Sequence, residues 1–258
     1  LGTNLTLAGT SGDVLQILND NTIDLNGNSL IFSGNGGNIL VGNAAGSSVR
    51  TIGGTSGTIS ISGTKTVVSN NSKTLTFGSG ITVLLTAGMN FGSSLSTING
   101  TLQINNGGFV SVNAPTYASG SILKYNSATT YGRNLEWAST SGAGYPYHVQ
   151  ISNSTTVDLG ANLGTGTARQ IAGNLTIDAG STLTLATTAM TASLTVSGNT
   201  NIEGTLALSG SGGGDLVSYG DFTVGSAGTF TGNGRAVFFY KNGTQSVTKT
   251  GSGTITIP

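Results

Sequence analysis

Four carboxylates, Asp178, Glu203, Asp215 and Asp221, recur at short intervals in the C-terminal half of the chain. Carboxylates gathered on one face can do general acid–base work, hold a Ca²⁺ ion, or act as the pair by which glycosidases cleave sugars. Asp178 and Glu203 both follow the Ile of a Gly-Asn-x-x-Ile unit, so in a stacked fold they fall on neighbouring turns. The competing reading is that an outward strand position tolerates a single charge for solubility. With nine acidic residues in 258, that reading weighs more. His148 is the only histidine, and no Ser/Asp constellation is readable around it. No catalytic residue, metal ligand set or cofactor motif is therefore assigned, and the chain is expected not to be an enzyme.

A second group of chemistry-bearing residues lies in 115–150. Five of the seven tyrosines (Tyr117, Tyr125, Tyr131, Tyr145, Tyr147), the only Trp (Trp137), His148, and two of the three prolines (Pro115, Pro146) fall there. Aromatic rings beside Arg133 and Glu136 could stack on sugars or meet a partner. The candidate contact residues are Tyr125, Tyr131, Arg133, Glu136, Trp137, Tyr145, Tyr147 and His148. Bulky residues in a chain of small ones more often pack, and the structural alternative is that these side chains cover an apolar turn. A third signal is Thr-x-Thr, at Thr64–Thr66, Thr74–Thr76, Thr182–Thr184 and Thr254–Thr256. Aligned threonines are what ice-binding solenoids present, yet Thr is also the ordinary outward residue of a half-buried strand. The rows read as interrupted and irregularly spaced.

The elements that position these residues come from a short repeated unit. It reads GNSLI at 27–31, GNILV at 37–41, GTISI at 57–61, GTKTV at 63–67 and GTLQI at 100–104. It returns as GNLTI at 173–177, GNTNI at 198–202, GDFTV at 220–224 and GTITI at 253–257. Each is a turn residue followed by period-2 alternation, which marks a strand with one buried face. The recurrence at Gly173, Gly198 and Gly220 fits one turn of a solenoid. The expectation is an all-β right-handed parallel β-helix of about 11–12 rungs of roughly 22 residues, stepping about 4.8 Å each over about 50–55 Å. Gly and Asn at the corners would allow tight, left-handed turns, and stacked Asn could form amide ladders. Asp13–Leu18 reads as one helical turn or as a strand. The organisation expected is solenoid rungs over 1–114, an aromatic-rich excursion over 115–150, and rungs again over 151–258. The final strand carries no charged cap, so the polypeptide is expected to continue as part of a longer protein.

Composition narrows the function classes. Charged residues are only 7% and net charge is zero, so no basic patch exists for nucleic acid. No apolar run approaches the ~18 residues of a membrane helix, and no membrane insertion is expected. There is no cysteine to staple the fold. Low charge leaves little protection against edge-to-edge pairing, so association with other copies is expected.

The strings YGRNLEWASTSGAGYPYHVQIS (131–152), AGNLTIDAGSTLTL (172–185), LTVSGNTNIEGTLALS (194–209), GGDLVSYGDFTV (213–224) and GNGRAVFFYKNGTQSV (232–247) come in one order. Over roughly 117–258 the chain resembles the Gly/Thr-rich β-helix region of large secreted, adhesin-like proteins of Bacteroidota exported by type IX secretion. The resemblance implies an extracellular or outer-surface location on a Gram-negative cell and a stalk or adhesin-like use. It identifies no catalytic residue. Three functions are thus ordered. A structural or adhesin-like module, meeting surface glycans or other copies or segments of the parent protein, comes first. Carbohydrate binding or processing is second and ice binding third.

Overall fold

A computed structural model describes residues 1–19, 21–42 and 49–256. Each repeat unit forms a strand, because alternating apolar and small polar residues can bury one face and hydrate the other. Among the described residues the strands pair in parallel, and the fold is a β-solenoid with three strands per turn. It makes about 10 turns of about 25 residues, not 11–12 of roughly 22. The 22-residue interval between Gly198 and Gly220 is one of the shorter turns. Ile257 and Pro258, the end of the last expected strand, lie outside the described residues.

The chain divides into two compact units. The first comprises Leu1–Leu123 with Gly142–Gly144. One of its sheets stacks Leu5–Leu7, Ser29–Phe32, Gly57–Ile61, Ile81–Leu85 and Thr101–Ile104. Register aligns Leu30, Ile59, Val83 and Leu102 in one inward column, and Phe32, Ile61, Leu85 and Ile104 in a second. All eight are buried, each adding about 1.5–3 kcal/mol of apolar burial. Another sheet aligns Ile23, Ile52, Phe77, Ile98 and Tyr117. Asp13–Leu18 is a strand of the remaining sheet.

The second unit comprises Lys124–Ser141 and Tyr145–Pro258. Its first sheet stacks His148–Ile151, Leu175–Ile177, Thr200–Ile202, Phe222–Val224 and Val247–Lys249. The second stacks Thr130–Gly132, Thr156–Asp158, Thr182–Thr184, Thr205–Ala207, Thr229–Thr231 and Thr254–Thr256. The third holds Arg169–Ile171, Leu194–Val196, Leu216–Ser218 and Val237–Phe239. The segment 115–150 is therefore not a strandless excursion. It contains Thr116–Tyr117, Ile122–Tyr125, Thr130–Gly132 and a 3-10 turn at Leu135–Trp137, and it leads into His148–Ile151.

Some of the glycines that open strand units are there for closeness. Gly198 and Gly220 have no left-handed φ, but a Cβ on Gly220 would sit 2.2 Å from the Gly198 carbonyl oxygen. Gly27 and Gly37, which open earlier units, do take a left-handed φ, as do loop residues such as Asn71, Ser72, Asn153 and Ser154. The expected Asn ladder occurs between Asn113, whose amide N–H donates at 3.0 Å, and Asn90 Oδ1 one turn before it, and takes a different form in the second unit. The Asn174 Oδ1 accepts the Asn199 N–H at 2.9 Å, the Asn199 Oδ1 accepts the Asp221 N–H at 2.9 Å, and the Asp221 Oδ1 accepts the Ser246 N–H at 3.0 Å. Side chain caps backbone, one turn to the next, where amide stacking was expected.

Candidate functional site

Five of the eight candidate residues come together, and they face inward. Tyr125, Arg133, Glu136 and Trp137 are each 0% exposed, and Tyr131 is half-buried. The Tyr125 ring lies 5.4 Å from Tyr131 and 6.5 Å from Trp137. The 3-10 turn brings Glu136 back over its own start, where its Oε1 accepts the Asn134 N–H at 2.8 Å and the Tyr125 hydroxyl at 3.2 Å. Trp137 donates its indole N–H to the Gln170 carbonyl at 2.9 Å. A ring so enclosed offers no face to a sugar. The contact role expected for Tyr125, Arg133, Glu136 and Trp137 does not fit this placement, because closing the side of the solenoid uses the surfaces a ligand would need.

Arg133 ties the cluster to the next loop, donating to the carbonyls of Leu159, Trp137 and Gly164. Arg169, also buried, donates to Gly164 and Ala168. Burial lowers both guanidinium pKa values to about 10, and for Arg169 the nearby Arg133 adds to the effect. Burial likewise raises the Glu136 carboxyl and the Tyr131 hydroxyl well above their usual ranges. Such groups are shifted by the cost of removing charge from water. Here the shifts accompany the enclosure of these side chains within the fold.

The other three candidates are half-buried. Tyr147 meets the His148 ring edge-on at 4.7 Å. The His148 Nδ1 accepts the Asn174 N–H at 2.8 Å, placing it at the head of the capping series that continues through Asn174, Asn199 and Asp221. Burial holds this imidazole below its ordinary 6.5.

Register sets Asp178 and Glu203 one turn apart, each directly after the paired Ile177 and Ile202, as their place in the repeat suggested. The Asp178 carboxylate takes the Gln150 amide at 2.9 Å and the Ser152 hydroxyl at 2.6 Å. Asp215 caps the Ala236 N–H, and Asp221 pairs with Lys241 at 2.6 Å. Among the described residues no three His, Cys, Asp or Glu side chains group as metal ligands would.

Sequence reasoning passed over an outward aromatic group. Tyr219, Phe238 and Tyr240 are all exposed. The Phe238 and Tyr240 rings are nearly parallel, 5.9 Å apart at 5°, and Tyr219 lies 5.8 Å from Tyr240. Two residues apart on an extended segment, Phe238 and Tyr240 share a face. The signal was the one-turn interval between Tyr219 and Tyr240. Comparison with protein-family models, with curated proteins and with solved structures finds no match in any of the three.

Proposed function

We propose that the chain is a structural, adhesin-like module of a secreted or cell-surface bacterial protein, exposed on the outer surface of a Gram-negative cell. One observation carries this reading. Tyr125, Arg133, Glu136 and Trp137 are turned inward, and the outward strand positions carry mainly Thr, Ser, Asn and Gln. A scaffold needs that division, whereas a polysaccharide-processing solenoid needs acids converging over a cleft. The resemblance over 117–258 supports the same location and use. The purified protein is expected to leave a panel of plant, algal and bacterial polysaccharides uncleaved. Turnover that disappears in Asp178→Asn or Glu203→Gln would overturn the scaffold reading in favour of catalysis.

The outward ring group favours carbohydrate binding as a second reading. Parallel rings suit the apolar faces of sugars, and the adjacent Lys241–Asp221 pair supplies polar contacts. Glycan-array binding abolished in Tyr240→Ala would establish it. Binding unchanged in that variant would count against these rings.

A further inference from the structure

The second sheet of the second unit holds a regularity that sequence spacing conceals. Thr130, Thr156, Thr182, Thr205, Thr229 and Thr254 occupy one register position on six successive strands. Their following neighbours, Tyr131, Val157, Leu183, Leu206, Phe230 and Ile255, form the inward column. By the two-residue period of a strand the threonines therefore project outward. All six are partly or fully exposed, and none of their hydroxyls has a protein hydrogen-bond partner among the described residues.

A second file runs two residues further on, through Gly132, Asp158, Thr184, Ala207, Thr231 and Thr256. Asp158 and Thr184 are buried; the Asp158 carboxylate accepts the Thr188 hydroxyl of the following turn, and the Thr184 hydroxyl accepts the Ala186 N–H. From Thr205 onward both files are open, giving Thr205 and Ala207, Thr229 and Thr231, and Thr254 and Thr256. Strand geometry fixes the grid at about 4.8 Å between strands and about 6.7 Å along them. β-branched Thr is stiff at χ1, so each hydroxyl and methyl is held in place before any partner arrives.

We propose that this threonine face binds ice. A row of equivalent, individually weak contacts gains affinity only against a partner with a matching repeat, which engages many of them at once. Ice is such a partner. Its surface oxygens repeat on a similar scale, hydroxyls can join its hydrogen-bond network, and the interleaved methyls limit competition from disordered water. A soluble glycan would instead call for rings and paired donors and acceptors, which the open grid lacks. The other outward rows of this unit are chemically mixed: Gln150, Thr176, Asn201, Thr223 and Thr248 on the first sheet, and Gln170, Thr195, Val217 and Phe238 on the third. The inference goes beyond the scaffold reading and does not depend on it.

The test measures thermal hysteresis and ice-crystal shaping by the whole purified chain, beside Thr229→Tyr and Thr223→Tyr, with folding checked by thermal melting. The expected result is faceted crystals and a freezing-point gap for the unmodified chain, at least several-fold smaller for Thr229→Tyr and unchanged for Thr223→Tyr. Absence of both effects in the unmodified chain would overturn the proposal, as would an equal loss in both variants. No loss in Thr229→Tyr would overturn it too. Crystalline cellulose and chitin are assayed in parallel, and retention on either without ice activity would reassign the grid to a crystalline polysaccharide.

Discussion

The segment from Tyr125 to His148 and the threonine face of the same unit reverse what their residues suggest. The first collects rings, two charges and a histidine, and its central cluster is enclosed. The second is built from one unremarkable residue type and stays open to solvent. In a solenoid a side chain's role follows from which way its strand position points. Over 125–137 bulky residues are drawn inward, while the threonine face draws its surface chemistry from repetition.

The sharpest way to break this contrast is Trp137→Ala. Loss of a fully buried ring and its hydrogen bond is expected to cost about 3–5 kcal/mol. A large drop in melting temperature would support closure of the solenoid side by this ring. A variant as stable as the parent would return Trp137 to the list of contact residues. Asn199→Ala should have a smaller effect, about 1 kcal/mol, because it strips one cap from one backbone N–H. Chemical denaturation measures it directly.

Two substitutions sharpen the contrast through pH. Burial raises the Glu136 carboxyl, so the folded chain holds that proton at a higher pH than the unfolded chain does. Stability from this group is complete below the unfolded carboxylate pKa and falls as pH rises through the folded value. Glu136→Gln keeps the acceptor for Asn134 and Tyr125 and should flatten that decline, with melting curves converging at acid pH. His148 runs the other way and more weakly. Its pKa is held below 6.5, so the unfolded chain takes up a proton first and stability falls as pH drops below about 6.5. His148→Gln should reduce that dependence, measured as melting temperature against pH.

Much of the architecture was legible from the repeat. Units such as GNLTI and GNTNI place their strands within a residue or two, since turn glycine and alternation are local signals. Turn length was less legible, because loops between strands vary and no single interval represents them. The direction of the 125–137 aromatics was legible only as the tendency of rare bulky residues to pack. It depends on Arg133 reaching the loop carbonyls of Leu159 and Gly164, contacts that span many residues. The threonine file was only partly legible, through Thr182–Thr184 and Thr254–Thr256, for a related reason. Its members at 156, 182, 205, 229 and 254 are unevenly spaced along the chain, and only strand pairing brings them into line.

The capping series from His148 through Asn174 and Asn199 to Asp221 also has a direction. Each acceptor serves the backbone of the turn that follows it, and none serves the turn before. A completed turn is thus a template with its hydrogen-bond sites already set for the next stretch of chain. Assembly that advances one turn at a time needs only nearest-neighbour contacts. In this unit each added turn brings the backbone N–H that an acceptor on the turn before it is placed to receive.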